Sequence, residues 1–374
     1  MFYINQTNEE KNNYQKYLRI VGSLSNLFSE SDTPYLYYRV AERIFCDAFN
    51  AEDLSRSDVS SDAKKDGVGI GLKTFLAGNH NTFQKVAEFN SDRPNYTDLP
   101  SIELIREIAR LRNIRINFTE KTHNMDSSIY HCIIREPNRF KVFEEEMSLI
   151  DIGNISITKN DDRSIVFNDG IHEYSFLLSK STLTKRFVTT NVVHEFDVNI
   201  INDPLSKLES HLYFHDGEQH PQQKNTILQT VYLPLYGQNH TVFPRSGLNQ
   251  WNADGRPRDA DEVYIPIPSA VHTVFPDFFP DRNTRFNLRL PSDKILPSKV
   301  CQAGGKALMS YSNKELGKWI LRDILEIDEG ELVTNKTLQE IGIDSVRIDK
   351  IGDLEFEINF AQTGAFEDFK DSHL

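Results

Sequence analysis

The chain has 374 residues, 39% hydrophobic and 26% charged, with a net charge of −13 at pH 7. This is an ordinary composition for two or three globular domains, and the charge argues against nucleic-acid binding by bulk attraction. No apolar run approaches the roughly 20 residues that span a bilayer, no secretion-signal pattern precedes Lys16, and Cys46, Cys132 and Cys301 are too few and scattered for a disulfide framework or a cysteine zinc site. A reducing, cytoplasmic bacterial setting without a membrane partner is the expectation.

Residues 1–30 read as an amphipathic helix, with Tyr14, Leu18, Val21 and Leu24 at helical spacing. Asp32-Thr33-Pro34 predicts a helix start. That second helix runs through Tyr37, Val40, Ala41, Ile44, Phe45 and Phe49, with Glu42 among its apolar positions. Most helical glutamates lie on a polar edge. The functional alternative is a carboxylate aimed at the strand that follows.

That strand comes from a hairpin. Asp66-Gly67 is a strong turn signal, and after it Val68, Ile70 and Leu72 alternate with Gly69, Gly71 and Lys73. One face is apolar and the other carries two glycines and a lysine. Glycine weakens a strand and marks the close approach of a backbone or ligand, so the bare face is expected to form an active-site floor with Lys73 standing on it. A turn at Lys65-Asp66-Gly67-Val68 sets Asp62 opposite Gly71, with Asp58 on the same face. Asn81 or Thr82 is expected to cap a helix bearing Phe83, Val86, Ala87 and Glu88.

A helix is expected over 101–112 and a strand over 129–135. Shorter strands are expected around 155–158, 164–167, 174–178 and 192–201. Residues 202–226 read as a connection. His211, His215 and His220 lie there, read as solvated, since nothing supplies a fourth fixed metal ligand. After residue 227 the pattern becomes short strands, around 231–236, 262–268, 285–290, 345–348 and 354–360, with a helix over 314–325 and another near 338–341. The prolines of Glu262–Pro268 confine that strand to an edge or bulges. Pro244 to Arg322 is locally basic inside an acidic chain.

Asp62 beside Lys73 suits phosphodiester hydrolysis. Carboxylates holding Mg²⁺ and a cation beside the phosphate supply what the reaction needs. The plain alternative is a cross-strand Asp–Lys pair. The helix with Glu42, the strand with Asp58 and Asp62, and Gly71-Leu72-Lys73 resemble the core of the PD-(D/E)XK nucleases over roughly residues 30–140. The resemblance implies Asp62 and Lys73 as the motif Asp and Lys, with Asp58 as rival. Gly71 stands where that family carries Glu, and some members move the carboxylate to a neighbouring helix. Glu42 and Glu88 are then the candidates to join Asp62 as metal ligands.

A second set of motifs, Leu233-Pro-Leu-Tyr236, Ser246-Gly-Leu-Asn-Gln-Trp-Asn252, Glu262-Val-Tyr-Ile-Pro-Ile-Pro268, Phe278-Phe-Pro280, Gly305-Lys-Ala-Leu-Met309 and Leu316-Gly317, resembles the C-terminal DNA-binding domain of NgoFVII-type restriction endonucleases. That domain is similar to those of BfiI and EcoRII and to the plant B-three pseudobarrel. The resemblance implies two DNA-gripping arms, at Arg245–Arg258 and around Gln302–Lys314. Within them Arg245, Asn249, Gln250, Asn252, Arg256 and Arg258, with Lys306, Ser310, Asn313 and Lys314, are candidates for base or phosphate contacts. Trp251 is read as packing the loop base.

The expected architecture is an α/β (α+β) PD-(D/E)XK-like nuclease domain over 1–205, a linker over 206–226 and a mainly β B-three-type pseudobarrel over 227–374. The expected function is that of a type II restriction endonuclease, Mg²⁺-dependent and acting on double-stranded DNA as a homodimer or transient assembly. The alternatives are a sequence-specific DNA-binding protein with a degenerate nuclease domain, and a modification-dependent endonuclease.

Overall fold

The computed structural model describes residues 1–55, 59–78, 80–209, 227–255 and 257–374. Asp58, Arg256, His211, His215 and His220 lie outside the described residues. Contacts divide the chain into two units, Met1–Ile116 with Met125–Pro221 and Asn117–Asn124 with Gln222–Leu374.

The first unit opens with α1 (Phe2–Asn5) and α2 (Asn8–Ser23). Thr7 and Glu10 close a capping box at the start of α2, and Tyr14 and Leu18 are fully buried on its inner stripe. Helix α3 (Tyr38–Phe49) begins four residues beyond the start expected at Pro34. Pro34 and Leu36 are instead buried in an extended lead-in, so tertiary burial outweighs the local helix-start signal. Next come β1 (Glu52–Asp53), β2 (Ala63–Lys65), β3 (Val68–Leu76), β4 (Asn81–Glu88) and α4 (Ser101–Thr122). The remaining strands are β5 (Ser127–Glu136), β6 (Arg139–Glu146), β7 (Ser156–Asn160), β8 (Ser164–Asn168), β9 (Glu173–Leu177), β10 (Thr182–Val188) and β11 (His194–Asp197). Helix α5 (Pro204–Glu209) ends the described part.

One sheet has the order β1-β2-β3-β5-β6-β11, with β3 and β5 parallel and the other pairs antiparallel. A second has the order β4-β10-β9-β8-β7. On one face of the first sheet, Ile70, Leu72, Ile133 and Val142 pack against Phe45 and Phe49 of α3 and Tyr14 and Leu18 of α2. On the other face, Phe75, Tyr130, Cys132, Ile134 and Phe143 meet Ile116 of α4 and Phe187 of β10.

The helix expected after Asn81 is a strand. Residues 81–88 pair with β10 along their whole length. Thr82, Phe83 and Val86 suit a pleated surface as well as a helix face, and the neighbouring strand decides between them.

The two sheets are joined by a charge pair whose lysine is fully buried. Lys185 of β10 has no exposed side-chain surface and bonds Glu145 of β6. Removing Glu145 strands the fully buried ammonium at a cost of about 3–5 kcal/mol, whereas Lys185→Met fills the same space and leaves a carboxylate that is 22% exposed and open to water. Glu145→Ala is therefore expected to lower the unfolding midpoint far more than Lys185→Met. Equal loss in a denaturant titration would show that the pair contributes only packing.

In the second unit, β12 (Gln229–Pro234), β13 (Ile265–Pro266), β14 (Phe286–Arg289), β15 (Ile295–Cys301), β16 (Ala307–Ser310), β17 (Ile343–Gly352) and β18 (Glu355–Gln362) form one sheet. Its order is β12-β17-β18-β14-β15-β16-β13, and the two end strands touch, so the sheet is nearly closed. The proline-containing β13 is the edge strand its composition predicts. Helices α6 (Ser269–Val274), α7 (Glu315–Gly317) with a π-helical continuation over Lys318–Ile324, α8 (Asn335–Ile341) and α9 (Ala365–His373) complete the unit. Leu316, Trp319, Ile320 and Ile324 all point into its core.

Candidate functional site

In the first unit the hairpin and α3 bring together three of the residues singled out in the sequence. Asp66 and Gly67 both take positive φ, +50° and +76°, the turn that matches strand twist in a two-residue hairpin. It sets Ala63 opposite Ile70. Beyond Ala63 the ladder gives way. The Asp62 carboxylate Oδ2 accepts the Leu72 backbone N–H at 2.7 Å, in place of a strand carbonyl. Lys73 follows on β3, half-buried, in register with Cys132 of β5.

Glu42 is buried on α3. Its Oε2 accepts from Arg39 Nη1 at 3.1 Å, and the same nitrogen donates to the Ser55 carbonyl at 3.0 Å. Burial pushes the Glu42 carboxyl above its ordinary range, the Asp62 charge adds to that, and Arg39 opposes it. Burial also raises Asp62, against the pull of Lys73, the Leu72 N–H and Arg39. Asp53 raises both carboxyls. Asp62 thus lies in the field of Lys73, Arg39 and Asp53, and Glu42 in that of Asp62, Arg39 and Asp53. The sequence pointed to Glu42, Asp62 and Lys73. Arg39, one helical turn before Glu42, had a legible signal in that spacing; Asp53 had none.

Two expectations need correction. The glycine face of β3 is not bare. A Cβ on Gly71 would lie 2.7 Å from Met147 Cε and 3.2 Å from the Tyr130 ring, and one on Gly69 would meet Met125, Ser128 and Ser61 within 2.8 Å. The glycines make room for neighbouring side chains, a tertiary demand that alternation in one strand does not reveal. Glu88 is not on a helix beside Lys73. It ends β4 in the second sheet, where Lys85 and Asn90 hold it and lower its pKa, and none of its partners acts on Asp62. Among the described residues no group of three or more His, Cys, Asp and Glu side chains has metal-holding geometry.

In the second unit the candidate arms divide into buried and presented residues. Asn249 is fully buried: its amide donates to the Phe243 and Val333 carbonyls at 3.1 and 2.8 Å and accepts the Val333 N–H at 3.0 Å. Gln250 is buried against Glu262 at 3.2 Å. Ser310 is buried and accepts the Leu316 N–H at 3.1 Å. These three build the arms rather than face solvent, a correction to their reading as base contacts. A polar residue fastening a loop and one reading a base look alike in sequence.

Arg258 is mostly buried and donates to the Ala253 carbonyl at 2.8 Å. Asn313, half-buried, turns the chain with φ +67°. Exposed are Arg245, bonded to Asp254, Asn252, donating to the Pro244 carbonyl at 2.8 Å, Lys306, and Lys314, paired with Asp259 at 2.5 Å. The Lys314–Asp259 pair ties the second arm to the end of the first. Trp251 packs partly against the core, as its sequence position predicts. An exposed feature the sequence reading missed is Tyr311, with the Arg285 and Lys299 cations 5.7 and 5.2 Å from its ring centre. The three come from separate strands and loops, so only the fold assembles them.

A nearly closed β barrel whose loops present exposed Arg, Asn and Lys defines a pseudobarrel with a polar, cation-bearing rim. Residues 223–352 match the family model of the NgoFVII C-terminal B3-like DNA-binding domain. The C-terminal region is therefore similar to a DNA-binding domain of the restriction-enzyme type, which supports DNA as a partner. No curated protein matches the chain. No helix among the described residues is long and apolar enough to cross a membrane.

Proposed function

We propose that this chain is a type II restriction endonuclease, a sequence-specific, Mg²⁺-dependent nuclease for double-stranded DNA with a PD-(D/E)XK-like N-terminal catalytic domain. The observation that carries the proposal is the Glu42–Asp62–Lys73 neighbourhood in the same chain as a restriction-type DNA-binding domain. The helix, hairpin and parallel β3–β5 pair that hold it are consistent with that nuclease core.

The donor chemistry fits a hard divalent cation. Two carboxyls raised by burial, one of them repelled further by the other, would be stabilised in their charged forms by a bound cation. Mg²⁺ commonly takes one or two carboxylates and fills its shell with water and phosphate, so Glu42 and Asp62 would suffice without Glu88. When bound there, Mg²⁺ supplies polarisation of a phosphoryl oxygen and of water. Asp62 is oriented by the Leu72 N–H. Lys73 provides positive charge at the position where negative charge grows on the phosphate. Arg39 holds Glu42 in place. Cutting both strands requires two such sites, which favours a homodimer or a transient assembly on DNA.

The primary test is incubation of the full chain with phage DNA and Mg²⁺, with sequencing of the fragment ends. Discrete ends at one short sequence are expected; DNA bound but never cut would sink the nuclease reading. A pH dependence accompanies it. Both carboxyls take up protons at higher pH than exposed ones, so cation binding is expected to weaken as pH falls while still above the ordinary carboxylate range. Calorimetric Mg²⁺ titrations across pH check this. A midpoint at the usual Asp/Glu value would remove Glu42 and Asp62 as the ligands.

A second reading, a DNA-binding protein with a degenerate nuclease domain, is favoured by Gly71 in the motif Glu position and by the lack of a three-ligand cluster among the described residues. Under a third, the barrel reads a methylated base, and cleavage appears only on modified DNA.

A further inference from the structure

Two tyrosines at the entrance to α3 are left outside the core. Tyr37 and Tyr38 are 45% and 48% exposed, and their rings lie 4.6 Å apart at 58°. Neither belongs to a hydrophobic cluster of the first unit. Leaving two aromatic rings half in water forgoes the stabilisation that burial gives.

Their surroundings are specific. The Arg39 guanidinium lies 5.2 Å from the centre of the Tyr38 ring. The same guanidinium bonds Glu42, so the aromatic surface and the carboxylate pair meet at one residue. One turn further on the exposed side of α3 is Arg43, paired with Asp47 at 3.5 Å. Flat aromatic faces flanked by exposed arginines are what single-strand nucleic-acid grooves combine, stacking for the base and positive charge for the backbone.

We propose that Tyr37, Tyr38 and Arg39 form a docking surface for a nucleobase that has left the duplex stack, and for its phosphate, in the strand that enters the Glu42–Asp62–Lys73 site. The proposal rests on the nuclease reading for its location, and on exposure, ring geometry and charge for its chemistry. Tyr38 stacks the base. Arg39 keeps Nη1 on Glu42 while the exposed part of its guanidinium, with Arg43, offers positive charge to the phosphate. Because every base has a π face, the surface is indifferent to sequence, and specificity stays with the barrel.

The test uses the full chain in a chelator, so that binding is read without cleavage. A short single-stranded oligonucleotide carrying 5-iododeoxyuridine is irradiated with the protein, and cross-linked peptides are mapped by mass spectrometry. A cross-link at Tyr37 or Tyr38 is expected. Tyr38→Leu, at an exposed position, is expected to lower oligonucleotide affinity about tenfold, while Tyr38→Phe keeps it. Cross-links confined to other residues, or equal affinity for the Leu and Phe variants, would overturn the proposal. So would DNA-independent self-association that Tyr37→Ala/Tyr38→Ala abolishes in sedimentation, since a second copy would then be the occupant. A cross-link without any cleavage by the wild type keeps the surface and removes the nuclease reading. Cleavage without a cross-link does the reverse.

Discussion

Lys73→Ala is expected to lose cleavage by about 10²–10³-fold or more while its affinity for DNA changes little. The magnitude is that of removing one preorganised charge from a site where negative charge develops in the transition state. Binding persists because the barrel of the second unit carries it. The substitution also has a second, independent signature. Lys73 pulls the Asp62 carboxyl down against the effect of burial. Without Lys73 that pull is gone and Asp62 stays protonated to a higher pH, so residual cleavage should have its acid limb displaced upward. A purely structural role would shift stability and leave the pH profile in place. Single-turnover cleavage across pH, with binding measured in parallel without metal, separates these. Unchanged turnover in Lys73→Ala would remove the lysine from the chemistry.

Gly317→Ala is expected to unfold or badly weaken the second unit. Gly317 has ordinary right-handed helical backbone, where alanine is normally favoured over glycine by about 1 kcal/mol. Here sterics reverse the sign. A Cβ on Gly317 would lie 1.9 Å from the Asp261 carbonyl oxygen and 2.7 Å from its carbon. Backbone cannot swing aside as a side-chain tip does, so the helix or the first arm must shift. Overpacking of this kind costs about 1–3 kcal/mol and at times more, and the upper end applies where backbone meets backbone. The helix is also fastened to that segment through Arg322, which donates to Asp261 Oδ1 at 2.7 Å and to the Ala260 carbonyl at 3.0 Å. Displacing it disturbs the base of the first arm. Both tryptophans, Trp251 and Trp319, lie in this unit, so tryptophan emission during denaturation reports on it alone. A midpoint equal to wild type would contradict the close approach.

The asymmetry between the two halves of the candidate site has a physical basis. Asp62 and Lys73 were legible because a hairpin turn fixes register, and register fixes which side chains share a face. Asp66-Gly67 is local chemistry, and Ala63 pairs with Ile70 as the turn demands. Glu42 was legible as an acidic residue in an apolar run. Its burial with Arg39, and its place in the field of Asp62, depend on how α3 packs on the sheet. Glu88 illustrates the converse. Its segment has helical and strand spacings at once, and pairing with β10 selected the strand.

In the barrel the difference is between motif and role. The order of short motifs from Leu233 to Gly317 was sufficient to indicate a DNA-binding domain, and the family match over 223–352 agrees with it. Which polar residues face DNA was not legible. Asn249, Gln250 and Ser310 have the side chains of base readers, yet each satisfies a buried backbone or side-chain group inside the domain, because an interior polar group left without a partner costs about 1–3 kcal/mol.

By itself, the sequence determined the hairpin, the apolar stripes of α2 and α3, the helix bearing Leu316, Trp319 and Ile320, and the edge position of the proline-containing strand. These follow from short-range periodicity and turn chemistry, which each segment carries alone. Only the tertiary structure decided that residues 81–88 pair as a strand, that the glycines of β3 seat Met147 and Tyr130, and which arm residues stay in solvent. Those outcomes depend on neighbours far away in the chain, and a side chain's partners are set when the sheets and helices close around it.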